Sequence, residues 1–130
     1  MRLDFVGAGL AMVLTGCATT TDYLEFGDTD RPQVVAARLL TAVDTCWFGQ
    51  RRDAFSAYRR EAELQSHSNK PRILLVKADE PGGLPQLIIE ASRERRRTSV
   101  KLFGPLLTTA LGPQIRSDID RWTGGKTDCG

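Results

Sequence analysis

Two stretches of the chain show apolar residues that recur at steps of three and four positions, the spacing of one face of an α-helix. The first predicts a helix over residues 31–47, because a proline lies in its first turn, Asp30 stands at the capping position and Gly49 follows its end. The second predicts a helix from about residue 105 to 123, with a kink at residues 112–113. The inner face of the first predicted helix consists of Val35, Leu39, Val43 and Cys46.

Four predicted strands lie between these helices, joined by turn-forming segments. Residues 53–67 are ambiguous, because their first part fits a helical turn and their second part alternates like a half-buried strand. The turn sequence that follows at 68–71 favours a hairpin, and a loop with two prolines and two glycines occupies 79–85. The predicted strands are 58–67, 72–78, 86–92 and 98–103.

The order of these elements predicts an α+β fold. Consecutive strands with short connections favour antiparallel pairing, and the strands do not alternate with helices as they do in a parallel sheet. Each helix needs a cover for its apolar stripe, and one face of the sheet supplies it. We therefore expect a four-stranded antiparallel meander with the N-terminal and the C-terminal helix packed on one face.

Length and composition exclude several classes of protein. A chain of 130 residues has the size of one domain. With 41% hydrophobic and 26% charged residues, its composition is that of a folded protein rather than of a wholly disordered one. No apolar run reaches the ~18–20 residues that a membrane-spanning helix needs, which excludes a multi-pass membrane protein.

The first seventeen residues have the layout of an export signal. Arg2 is followed by an apolar stretch over residues 5–14 and then by small residues. The segment Leu14-Thr15-Gly16-Cys17 resembles the lipobox of bacterial lipoproteins, in which the cysteine receives a lipid and becomes the first residue after cleavage. The resemblance implies that Cys17 carries the lipid. The other interpretations are a buried N-terminal helix or strand, or an ordinary cleaved signal.

This resemblance divides the chain into three parts. Residues 1–16 are the expected lipoprotein signal peptide, residues 17–30 are the lipidated cysteine and an acidic tether, and residues 31–130 are a small periplasmic domain. In enterobacterial lipoproteins an Asp after the cysteine retains the protein at the inner membrane, and Ala18 stands there instead. The resemblance therefore implies attachment through the lipid to the periplasmic side of the outer membrane.

Two further cysteines, Cys46 and Cys129, remain for the domain. In an oxidising periplasm we expect them to form a disulfide bond. A redox-active pair and a metal site are the alternatives. The sequence holds no Cys-x-x-Cys motif, and His67, as the single histidine, does not complete a four-ligand zinc site. We expect no metal and no cofactor.

A run of arginines occupies the predicted turn between the third and fourth strands. Several guanidinium groups projecting together suit an anionic partner, such as a phosphate or carboxylate of the envelope or an acidic protein patch. The other interpretation is a solvated hairpin tip. Nucleic acid is not expected, because base-stacking aromatic residues are scarce near the run. The candidate partner-binding residues are Arg93, Arg95, Arg96, Arg97 and Lys101.

The sequence offers little support for catalysis. His67 lies between two serines at a predicted turn, where we expect an exposed side chain. Acidic pairs at 61/63, 79/80 and 118/120 have the residue types of a glycosidase, yet all are predicted at solvent-facing or loop positions. We therefore do not expect an enzyme.

Trp47 and Trp122 each lie near a cysteine at the end of a predicted helix. We expect them to pack around the disulfide, and an aromatic binding surface is the alternative. Together these observations predict a lipid-anchored envelope lipoprotein that acts as a non-enzymatic binding or structural accessory module. The alternative function is a periplasmic module that binds a soluble ligand or inhibits a hydrolase.

Overall fold

The computed structural model describes residues 24–65 and 67–130, so the predicted signal peptide, Cys17 and the first part of the predicted tether lie outside the described residues. In chain order, the elements are β1 (Leu24–Asp28), α1 (Pro32–Ala42), a π-helix (Val43–Gln50), β2 (Tyr58–Glu63), β3 (Arg72–Lys77), β4 (Leu87–Glu94), β5 (Arg97–Phe103), a 3-10 turn (Pro105–Thr108) and α2 (Gly112–Thr123).

The five strands form one antiparallel sheet in the order β1-β5-β4-β3-β2. The predicted α+β class and antiparallel pairing are confirmed, but the sheet has five strands where four were predicted. The additional strand is β1, which pairs with β5 and occupies residues 24–28 of the predicted tether. Leu24 and Phe26 pack against the core, whereas Glu25 and Gly27 alternate with them on the other face. Residues 24–28, which the predicted tether includes, therefore belong to the sheet.

The first predicted helix is present but continues beyond its predicted end at residue 47. After α1 the chain continues as the π-helix, in which Cys46 and Trp47 are both fully buried. The four predicted inner-face residues are all buried. Asp30 does not cap the helix. Its carboxylate instead accepts a hydrogen bond from Arg38 Nη1 at 3.1 Å.

The second predicted helix is split into the 3-10 turn and α2. The break occurs because the backbone folds tightly on itself at Gly112, where a Cβ atom would lie 2.1 Å from the Leu107 carbonyl oxygen. Gly104 ends β5 with φ of 123°, and a Cβ atom there would meet the Gln86 carbonyl oxygen at 2.4 Å. Both positions require glycine, and together they direct the chain from the sheet into α2.

Both helices contribute to one hydrophobic core on one face of the sheet. The apolar stripes of α1 and α2 meet the alternate residues of the central strands that point to that face. The opposite face, which we call the open face, lies outside this core, although Leu74 and Val76 on it are also buried. The strand residues of the core include Ile73, Leu75, Leu87, Ile89, Val100 and Leu102.

The predicted disulfide bond between Cys46 and Cys129 is present. It joins residues 83 positions apart, with 5.3 Å between their Cα atoms, and attaches the C-terminal tail to the π-helix. Trp47 lies beside this bond, stacked on Phe55 with ring centroids 4.9 Å apart, and its ring centroid is 5.4 Å from that of Trp122. Both tryptophans are fully buried, so they belong to the core and not to a binding surface.

Reducing the disulfide bond should lower the free energy of unfolding by about 4 kcal/mol, because the unfolded chain then loses the constraint of a loop closed over 83 positions. Urea unfolding followed by tryptophan fluorescence, with and without dithiothreitol, measures this change. The doubly substituted Cys46→Ala/Cys129→Ala protein is the control, since the reductant should not affect it. An equal unfolding midpoint for the oxidised and reduced wild-type protein would contradict the prediction.

Candidate functional site

The arginine run lies at the turn between β4 and β5, as predicted, but its side chains do not form one cluster. Arg95 and Arg96 form the two-residue turn. Arg93 follows Ala91 by two residues and so belongs to the helix-covered face. Arg97 pairs in register with Glu94 on the open face. The hairpin therefore distributes its arginines over two faces and a tip, and all four are exposed.

Two of these arginines line a groove on the open face, between β1 and the β4–β5 hairpin. The groove has a volume of about 460 Å³. Gly27 has no side chain, so the Arg97 side chain packs closely over it, and a Cβ atom there would lie 3.1 Å from Arg97 Nη2. The guanidinium group of Arg97 thus extends across β1. The lining residues are Glu25, Phe26, Gly27, Glu94, Arg95, Arg97, Thr98 and Ser99.

The two carboxylates of the groove have partners within the sheet. Glu94 Oε1 lies 2.8 Å from Lys101 Nζ, and Glu25 Oε1 accepts a hydrogen bond of 2.6 Å from Ser99 Oγ. The hydrogen bond from Lys101 lowers the pKa of Glu94 and so favours its ionised form. Among the described residues, no carboxylate pairs with Arg95 or Arg97. The groove therefore presents two exposed guanidinium groups that form no ion pair among the described residues, beside two carboxylates whose partners are Lys101 and Ser99.

A row of alternating charges crosses the open face in register, one residue from each strand. Any two neighbouring residues in this row form a directly opposed cross-strand pair, and opposite charges in such pairs stabilise a sheet. The row contains three acidic and two basic side chains, so it adds no positive charge to the open face. The row is Glu25, Lys101, Glu90, Arg72 and Glu63.

A second polar cluster is buried beneath the helices around Asp118, whose side chain is fully buried. Its carboxylate accepts hydrogen bonds from four side chains. The donors are Trp47 Nε1 at 2.8 Å, Arg51 Nη1 at 2.9 Å, Gln114 Nε2 at 2.8 Å and Arg121 Nη2 at 2.7 Å. Because four donors surround this carboxylate and solvent does not reach it, the cluster has the character of a structural anchor rather than of a catalytic base.

Asp118 is the residue that the sequence prediction misplaced, because it was expected at a solvent-facing position. The signal was present in the spacing of α2. Asp118 lies between Ile115 and Trp122 in the same helical stripe, three residues after the first and four before the second. A charged residue inside an apolar stripe indicates a buried partner, here the guanidinium groups of Arg51 and Arg121.

The remaining candidates lie apart from one another. His67 is an exposed turn residue, and Asp79 and Glu80 lie in an exposed loop. Within residues 24–65 and 67–130, no group of three or more potential metal-ligating side chains comes together. No helix in the same ranges is long and apolar enough to cross a membrane.

The chain has no match among known protein families, curated proteins or solved structures. Its own residues are therefore the basis for any functional assignment.

Replacing Asp118 by Asn should lower the free energy of unfolding by about 3 kcal/mol, because the guanidinium groups of Arg51 and Arg121 then face a buried neutral amide. Chemical denaturation measures the change. Asp120→Asn is the matched control, since Asp120 lies two residues away on the exposed side of α2 and should have little effect. Equal destabilisation by the two variants would contradict a buried anchor.

Replacing Lys101 by Gln should raise the pKa of Glu94 toward its ordinary value, because the largest cause of its lowered pKa is the hydrogen bond from Lys101. In the wild-type protein this ion pair stabilises the fold above the ordinary pKa of a glutamate, and its contribution disappears as the pH falls through the lowered pKa of Glu94. NMR titration of the side-chain carboxyl carbon measures the shift. Lys77→Gln is the control, and a Glu94 titration insensitive to Lys101 would refute the assignment.

Proposed function

We propose that this protein is a lipid-anchored envelope lipoprotein on the periplasmic side of the outer membrane, where it acts as a non-enzymatic binding or structural accessory module. The observation that carries the proposal is the disulfide bond between Cys46 and Cys129. Disulfide bonds persist in oxidising compartments, and the resemblance of residues 14–17 to a lipobox implies export to such a compartment. The two features are independent and agree.

The start of β1 supports a domain held close to the membrane. If Cys17 carries the lipid, seven residue steps separate it from Leu24, and a fully extended chain of that length spans at most about 25 Å. The predicted tether over residues 17–30 is nearly twice as long. Lipidation at the cysteine with more than one acyl chain gives stable attachment, so the module stays at the membrane surface.

The β4–β5 hairpin is the part of this module that we propose meets an anionic envelope component or envelope protein. Its arginines are exposed, and the two in the groove lack a carboxylate partner among the described residues. Guanidinium groups bind carboxylate or phosphate in a bidentate manner, which suits such a partner.

A module that binds a soluble ligand or inhibits a hydrolase is the second candidate. It is favoured by the loop after β3, which carries Leu84 with 84% of its surface exposed. An exposed leucine between glycine and proline on a protruding loop resembles an anchor for an apolar pocket.

The intact mass of the protein extracted from its native membrane, with and without reductant, tests the proposed function. We expect the mass of residues 17–130 plus acyl chains, with a gain of two hydrogen atoms on reduction. Cys17→Ala is the control and should remain unprocessed and without lipid. An unmodified wild-type mass that still includes residues 1–16 would overturn the lipoprotein assignment.

A further inference from the structure

We propose that the groove between β1 and the β4–β5 hairpin binds the carboxylate groups of an anionic polymer on the side of the domain that faces away from the anchoring membrane. The position of this partner relative to the membrane rests on the proposed function. The chemistry of the groove does not.

The first argument is the charge of the groove. Arg95 and Arg97 line it and have no carboxylate partner among the described residues, whereas Glu25 and Glu94 already accept hydrogen bonds from Ser99 and Lys101. The guanidinium groups of Arg95 in the turn and of Arg97 in β5 each offer several N–H donors in a planar arrangement. One carboxylate binds one guanidinium group through two hydrogen bonds. A polymer with repeated carboxylates can occupy both guanidinium groups at once, so it fits better than a single ion.

The second argument is the backbone of Arg95, which has φ of 58°. Two-residue hairpin turns require positive φ at their first central residue, and Gly, Asn or Asp is favoured there because other side chains are strained. An arginine at this position sacrifices stability and places a guanidinium group at the groove. Backbone strain of this kind clusters at functional sites.

The third argument is the topology of the sheet. Leu24 pairs with Leu102, and the chain therefore enters β1 at the end opposite the hairpin turn. The turn residue Arg96 lies six residues before Leu102, which corresponds to about 20 Å along the strand. An anchor that precedes Leu24 thus attaches at the end of the sheet opposite the hairpin turn, and the groove extends along β1 from Glu25 toward that turn. Arg95 lies at the end of the groove farthest from the anchor, which favours a partner at the hairpin end over the phosphate groups of the anchoring membrane.

The groove is poorly suited to nucleic acid. Among the described residues, Phe26 is the only aromatic one that lines it, and its ring packs against the core instead of being exposed for a base to stack on. The groove therefore offers charge recognition without base stacking, which is what a carboxylate polymer requires.

The test uses the full lipoprotein reconstituted in phosphatidylcholine vesicles, with fluorescent poly-L-glutamate as the probe and vesicle flotation as the measurement. The wild-type protein should carry the probe with the vesicles. Arg95→Asn/Arg97→Gln should weaken its affinity about tenfold, the loss expected for two charge-assisted hydrogen-bonding groups. Asn is chosen at residue 95 because it tolerates a positive φ.

The matched control is Arg93→Gln/Arg96→Gln, which removes the same charge from the same hairpin but leaves the groove residues in place. Its affinity should stay within about twofold of the wild-type value, since binding that depends only on net charge would fall equally in both variants. Equal loss in the two double variants, or no binding by the wild-type protein, would overturn the proposal.

Arg95→Gly separates binding from folding. Glycine relieves the strain at the turn, so the variant should unfold about 4 °C higher than the wild-type protein while binding the probe more weakly. If the variant is both less stable and weaker in binding, the loss of affinity comes from a damaged hairpin. This result would contradict a binding role for the Arg95 side chain.

A dye attached at Arg96→Cys, with an acceptor on lipid headgroups, distinguishes the anchoring membrane from an external polymer. Energy transfer should be low and should not change when phosphatidylglycerol is added to the vesicles. A large increase would place the groove on the anchoring membrane and refute the proposed partner. A protein that binds poly-L-glutamate through the groove but carries no lipid would disprove the lipoprotein assignment alone.

Discussion

The burial of Asp118 is the constraint on which the rest of the structure depends. A carboxylate without solvent is strongly unfavourable unless donors surround it, and four side chains from the π-helix, the turn after it and α2 do so. Arg51 also donates to the carbonyl of Cys129, and Trp122 Nε1 donates to the Asp128 carbonyl at 2.8 Å. With the disulfide bond, these contacts hold the C-terminal tail, the two helices and the tryptophans in one arrangement.

Arg38 connects α2 to the edge of the sheet. Its Nη2 and Nε atoms donate to the Thr123 and Trp122 carbonyls at the C-terminal end of α2, where a cation is favourable, and the same guanidinium pairs with Asp28 at the end of β1. The contacts of Arg38 therefore fix the edge strand β1 relative to α2. Because Gly27 lines the groove, the geometry of the groove depends indirectly on the buried network around Asp118.

The two faces of the sheet have different roles. The helix-covered face supplies the apolar contacts that stabilise the fold, and the open face is organised by cross-strand charge pairs such as Glu90 with Lys101. The basic residues of the charge row, Arg72 and Lys101, form ion pairs, whereas Arg95 and Arg97 at the hairpin end form none among the described residues. The core and the proposed binding surface therefore lie on opposite faces, and substitutions in the groove need not disturb the core.

Local patterns in the sequence determined the buried face of α1, the hairpin strands, the exposed arginine turn and the pairing of Cys46 with Cys129, because helical and strand periodicity and a single remaining cysteine pair are properties of the chain itself. The resemblance to a lipobox is likewise a matter of sequence. Only the tertiary structure decided that residues 24–28 join the sheet, that Asp118 is buried and that Arg95 and Arg97, but not Arg93, line the groove. Each of these depends on contacts between residues distant in the chain, and periodicity within one element carries no information about which partner that element meets.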